Sequence, residues 1–126
     1  MMFGTKNFLA LVLMPINLKN FIKPLSKKLQ NQGIKVVLTT PALIGEYTDH
    51  SNDSDGELNH FANIIRRIAL ENACELVDMR KVFLQYNLEH NPENKENNIL
   101  TTDKVHLNAE GNKLAADTFY KFLIEK

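Results

Sequence analysis

The 126-residue chain has a single cysteine, no excess of either charge, and no apolar run long enough to span a bilayer. Cys74 cannot form an internal disulfide, and with no CxxC pattern or His-rich neighbour it is expected to be a half-buried structural thiol. The 15 Lys and Arg balance the 15 Asp and Glu, and the basic residues are scattered as Lys27-Lys28, Arg66-Arg67 and Arg80-Lys81. A nucleic-acid partner is therefore not expected, because phosphate tracking needs those charges gathered on one surface. The longest apolar run, FLALVLMPI from Phe8 to Ile16, falls well below the roughly 20 residues of a bilayer-spanning helix, so no integral membrane segment is expected. A single Lys precedes it and no small-residue cleavage pattern follows. A buried strand fits this run better than the apolar region of a signal peptide. Internal repeats and low-complexity tracts are missing too.

No cofactor is implied and no metal either. His50 and His60 lie ten apart with Asp49, Asp53 and Asp55 nearby, but these spacings match no ordinary ligand pattern. A solvated loop is the expectation there, and His90 is expected at a helix end.

Apolar residues make up 44% of the chain and charged residues 24%, ordinary for a globular protein of one domain. That domain is expected over residues 1–126, with 1–17 an unsettled start holding a possible strand. After Asn17, Leu18, Phe21, Ile22, Leu25 and Leu29 recur at helical spacing and Gly33 supplies the stop. Pro24 means that this helix either begins near it or is kinked by it. Ser26 is expected on its surface. IKVVLTT, Ile34 to Thr40, lacks alternation, as expected of a parallel strand buried on both faces. A long polar loop follows Pro41. A second stripe, Leu58, Phe61, Ile65, Ile68 and Ala69, predicts a helix from Glu57 to about Asn72. CELVDM predicts a short buried strand, RKVFLQYNLEH a helix, and NPENKENN a polar loop. Asn108 is placed to cap a last helix whose inner face is Leu114, Ala115, Phe119, Phe122 and Leu123. Strands alternating with helices predict an α/β fold, with a parallel sheet between helical layers. Three strands make a small sheet. Glu46 and Arg80 are candidates to pair at its carboxyl edge, structurally or to hold substrate loops.

The chemistry concentrates in ILTTDKVHLNAEGN. A neutral imidazole can take a proton from a hydroxyl nucleophile if a carboxylate holds the required tautomer, and Asp103 and His106 are spaced for that in a turn. The helix beginning near Asn108 would bring its positive end close to the ring. The alternative is that Asp103 and His106 are only turn and capping residues before a helix.

Asp103-Lys104-Val105-His106-Leu107-Asn108, followed by Gly111-Asn112, resembles the last sequence block of the SGNH hydrolases, the GDSL-type esterases and lipases. The segments KVVLTTPALIGE, IIRRIALENACELVDMRKVF and NPENKENNILTTD resemble that family's strand, loop and helix series, and the similarity runs from about Leu18 to the end. Lys104 stands where Gly is more usual, a departure expected to matter little because its side chain can point to solvent. The resemblance implies a three-layer α/β/α fold with a parallel sheet, SGNH or flavodoxin-like and incomplete at its N-terminus. It implies hydrolysis of a small acyl ester, or deacetylation, with His106 as general base and Asp103 orienting it.

The family's serine sits in a GDS block on a turn after the first strand, and that block and the one supplying an oxyanion-hole Gly are missing here. Ser26, Ser51 and Ser54 stand in KPLSKKL and SNDSDGE, neither a strand-to-turn nucleophile context. For the family's oxyanion-binding Asn, GTKN has Lys6 in the Asn place, and PIN has Pro15 for Gly and Leu18 for Asp. Asn17 is the candidate oxyanion donor that remains. Without the nucleophile block, the alternative is a non-catalytic α/β remnant that acts as a binding module and self-associates through exposed sheet edges. The compartment stays open between the cytoplasm and secretion.

Overall fold

The computed structural model describes the backbone of residues 8–12 and 18–125 and the side chains of residues 23–124. Its elements run β1 (Phe8–Val12), α1 (Leu18–Asn31), β2 (Lys35–Thr39), α2 (Asp55–Glu71), β3 (Glu75–Val77), α3 (Met79–His90) and α4 (Ala109–Glu125). That is the order expected from the apolar spacing. α1 begins at Leu18 and runs through Pro24, so the proline does not start it.

The chain divides into two compact units, with boundaries after Pro41, inside α2 after Asn59, and after Asp78. The first unit holds a parallel sheet in the order β1-β2-β3, with Phe8 opposite Lys35 and Val37 opposite Glu75. β2 is the middle strand. Val36, Val37 and Leu38 are at most 1% exposed, although successive strand residues point to opposite faces. This explains the unbroken β-branched run: a middle parallel strand has no wet face to mark with polar residues. Val36 and Leu38 pack with Ile65, Ile68 and Ala69 of α2, and Leu29 of α1 joins the same cluster. Each of the fully buried Val, Leu and Ile side chains contributes about 1.5–3 kcal/mol by leaving water.

Both helices of this unit end in the same way. Ile34 N–H donates to Leu29 O and Gly33 N–H to Gln30 O, each at 3.0 Å, with Gly33 at φ +77°. After α2, Cys74 N–H donates to Ala69 O at 2.9 Å around Ala73, whose φ is +53°. Glycine takes this left-handed cap without strain and alanine does not. Ser26, expected on the surface of α1, is instead fully buried. It lies three residues before Leu29 and therefore shares that side chain's inward stripe, where a small hydroxyl fits.

The second unit comprises residues 42–59 and 79–126. Its buried apolar side chains are Leu58, Met79, Phe83 and Leu100. Arg80 ties its first segment to α3: Nη2 reaches Asp55 Oδ1 at 2.9 Å, Nε reaches Asn59 Oδ1 at 2.6 Å, and Nη1 donates to Ala42 O at 2.8 Å. Glu46, the residue considered as a partner of Arg80, turns elsewhere. Its carboxylate accepts the backbone N–H groups of Ile99, Leu100 and Thr101. Arg80 is matched by Asp55, whereas Glu46 meets a run of backbone donors that no side-chain pattern announces. On α4, Leu114, Ala115, Phe119, Phe122 and Leu123 form the less exposed face as expected, but all remain half-buried. No described helix is long and apolar enough to cross a membrane.

Candidate active site

Asp103 and His106 sit in a tight turn between Thr101 and Leu107, which face each other as an isolated antiparallel bridge. Thr102 N–H donates to His106 O at 2.9 Å and Asn108 N–H to Leu100 O at 2.9 Å, so the chain doubles back before α4 begins. Asn108 is the cap of that helix, its Oδ1 taking the N–H of Gly111 at 2.9 Å. Its amide also donates to Ile99 O at 3.2 Å and Thr101 O at 3.4 Å, joining the cap to the strand-like segment before the turn. Gly111 is required by packing: a Cβ there would meet Leu100 O at 2.2 Å.

Within the turn, Asp103 Oδ2 lies 2.8 Å from His106 Nδ1, while Oδ1 accepts the N–H of His106 at 2.8 Å and of Val105 at 3.1 Å. These bonds stabilise the ionised carboxylate. They hold its pKa down at about 2, the largest cause being the backbone N–H of His106, then its ring, then the N–H of Val105. An ionised carboxylate only accepts, so the Nδ1 of a neutral ring carries the hydrogen and Nε2 keeps its lone pair. The His106 side chain is 79% exposed, which leaves that second nitrogen accessible. Chemically, the arrangement is an oriented base with an open face.

Lys104 lies between them at φ +80°. The expectation that its departure from Gly would matter little considered only the side chain, whose Nζ does reach out to Glu96 Oε2 at 3.4 Å. The Lys104 backbone is the part under strain, since a left-handed conformation is costly for any residue with a Cβ. Gly45 N–H donates to Lys104 O at 2.8 Å.

Of the other candidates, Asn17 and the GTKN segment lie outside the described residues. Ser26 is buried in the first unit; Ser51 is exposed and donates to Asp49 Oδ1 at 2.5 Å; Ser54 stands in the turn before α2. His50 and His60 are exposed, and His90 stacks on Tyr86 at the end of α3 with ring centroids 4.1 Å apart. Among the described residues no three His, Cys, Asp or Glu side chains gather as a metal site. What the sequence did not reveal is the support of the turn by the Thr101 hydroxyl, which accepts Lys104 N–H at 3.1 Å, and the buried amide of Asn91, which holds the loop residues Glu46 and Lys95. Asn91 is 4% exposed and its amide donates to Glu46 O at 3.0 Å and Lys95 O at 2.9 Å.

Among solved structures, the chain is similar to an acetyl xylan esterase at 44% identity and a TM-score of 0.86, covering 92% of this chain and 66% of that one. It is also similar in fold to an acetylxylan esterase from Geobacillus stearothermophilus, at 14% identity and a TM-score of 0.73, covering 96% of this chain and 61% of that one. An alpha/beta hydrolase from the metagenome of Lake Arreo, Spain, aligns at 20% identity and a TM-score of 0.71, covering 96% of this chain and 62% of that one. The chain thus spans less than two thirds of the length of each of these structures. None of the curated proteins matches it in sequence. The profile of the GDSL-like lipase/acylhydrolase family matches residues 2–114, nearly the whole chain, in agreement with the resemblance carried by Asp103 to Asn108 and with the parallel α/β fold. The chain belongs to the GDSL-like lipase/acylhydrolase family.

Proposed function

We propose that this chain carries the base half of an acyl-ester hydrolase, with His106 as general base and Asp103 as the carboxylate that orients it. The observation that carries the reading is the 2.8 Å contact between Asp103 Oδ2 and His106 Nδ1, with the ring otherwise exposed. In ester hydrolysis, Nε2 takes the proton of an attacking hydroxyl, and the Asp103 carboxylate stabilises the imidazolium that forms. The ring then returns that proton to the departing alcohol. Two solved forms of the Geobacillus acetylxylan esterase are catalytic mutants, one replacing an aspartate and the other a histidine three positions after it. Asp103 and His106 have that spacing. A third catalytic mutant of that enzyme replaces a serine, and the three serines here stand in no nucleophile context. An acetyl ester is the substrate class that both acetyl xylan esterase similarities favour.

The base role is tested by the ring nitrogen chemical shifts of His106 in the full chain. An Nδ1–H tautomer that is lost in Asp103→Asn is expected; an Nε2–H tautomer, or one indifferent to Asp103→Asn, overturns the assignment. Hydrolysis of 4-nitrophenyl acetate tests the nucleophile. The chain is expected to be no faster than its His106→Ala variant, whereas robust His106-dependent turnover would show that a nucleophile is present after all. The second reading, a binding module without turnover, rests on those same serine contexts.

A further inference from the structure

Glu46 is a carboxylic acid side chain at 1% exposure, far along the chain from the turn it serves. Its Oε1 accepts Leu100 N–H at 2.8 Å; its Oε2 accepts Ile99 N–H at 3.2 Å, Thr101 N–H at 3.1 Å and the Thr101 hydroxyl at 2.7 Å. Every partner is a donor, which suits an acceptor-only carboxylate and fixes the hydroxyl's direction. The Thr101 O–H hydrogen is committed to Glu46, so its oxygen is free to accept, and it takes the N–H of Lys104 at 3.1 Å. Lys104 is the residue between Asp103 and Val105. The backbone of Glu46 adds to the grip: its N–H donates to Glu96 O at 3.0 Å, and Gly45 N–H meets Lys104 O at 2.8 Å.

We propose that Glu46 is a positioning residue for the Asp103–His106 pair, its buried carboxylate holding residues 99–101 and, through the Thr101 hydroxyl, the turn on which both side chains are mounted. The inference rests on the base reading above and names a residue that acts through Thr101 without touching the imidazole. Replacing the carboxylate by an amide of the same shape leaves a second donor facing donors, with at least one backbone N–H unsatisfied. The turn then loses its register while its local Asp103–His106 spacing in sequence is untouched.

The test compares Glu46→Gln, Thr101→Val and Thr101→Ser in the full chain, by the carboxyl titration of Asp103 and the ring tautomer of His106. Glu46→Gln and Thr101→Val are expected to move the Asp103 titration up from about 2 toward its ordinary 3.8 and to reduce the Nδ1–H tautomer. Thr101→Ser, which keeps the hydroxyl, is expected to retain the wild-type values. A folded Glu46→Gln whose Asp103 and His106 behave as wild type overturns the inference; if that variant does not fold, Thr101→Val decides by the same readout. Failure of the base reading is seen separately, as an Nε2–H tautomer already in the wild-type chain.

Discussion

Asp103 binds His106 twice, through the ring at Oδ2 and through the backbone N–H at Oδ1, each at 2.8 Å. The residue that orients the imidazole is thus itself oriented by the main chain of the same histidine. These short-range bonds join two side chains that are both more than half exposed, so their mutual geometry lasts only as long as the turn that carries them keeps its shape. That turn is tied to its surroundings through Thr101 and Leu100.

The first prediction concerns acid. The folded Asp103 carboxyl titrates at about 2, below the 3.8 of a free side chain, so its ionised form favours the folded state. That contribution is complete above the unfolded value of 3.8 and disappears as pH falls through about 2. Urea unfolding measured at steps across this window is expected to show a shallower loss of stability in Asp103→Asn than in the wild-type chain. Equal slopes would show that Asp103 is not held ionised by the turn.

The second follows from Lys104 and Ala73, which hold φ values of +80° and +53°. Replacing either by glycine removes the strain on a Cβ in the left-handed region, partly offset by the greater freedom of glycine in the unfolded chain. Lys104→Gly and Ala73→Gly are each expected to stabilise by about 0.5–1 kcal/mol in urea titrations. The ion pair that Lys104 gives up is exposed and subtracts little. Destabilisation by Lys104→Gly would mean that the lysine side chain holds the turn more firmly than its backbone strains it.

The alternation of strands and helices was legible because each element carries its own period. The strand expected over Ile34–Thr40 is β2 at Lys35–Thr39, and the helix expected from Glu57 to Asn72 is α2 at Asp55–Glu71. Asp103 and His106 were legible because their bond is local, three residues apart. Glu46 was noticed but given the wrong partner. Side-chain charge suggested Arg80, whereas the bonds that Glu46 makes are to backbone N–H groups, which every residue carries and no sequence pattern marks. The strain at Lys104 was missed for a related reason: the sequence shows a solvent-compatible side chain and hides the sign of φ.

The third prediction tests the tie inside the second unit. Arg80 and Asp55 pair at 2.9 Å with side chains only 10% and 7% exposed, so removing one partner leaves the other buried without its charge complement. Arg80→Met is expected to cost about 3–5 kcal/mol. Combining it with Asp55→Asn should cost less than the sum of the two single changes, which a double-mutant cycle of thermal or urea melts would measure. Strict additivity would show that the two charges do not depend on each other.

The fourth prediction concerns Gly111, where α4 starts beside the segment that bears the turn. Its φ is not left-handed, so conformational freedom does not explain a glycine there; proximity does, because an added Cβ would lie 2.2 Å from Leu100 O and 3.1 Å from two carbons of Leu107. Carbonyl oxygen and backbone cannot swing aside as a flexible side chain would. Gly111→Ala must therefore push the first turn of α4 away from Leu100, at a cost of about 1–3 kcal/mol. The same displacement would stretch the bond from Asn108 N–H to Leu100 O, which closes the segment carrying Asp103 and His106. Backbone amide shifts of residues 100–108 are expected to change in Gly111→Ala, together with faster hydrogen exchange at Asn108. Ordinary stability with unmoved shifts in this segment would show that the helix does not hold the turn.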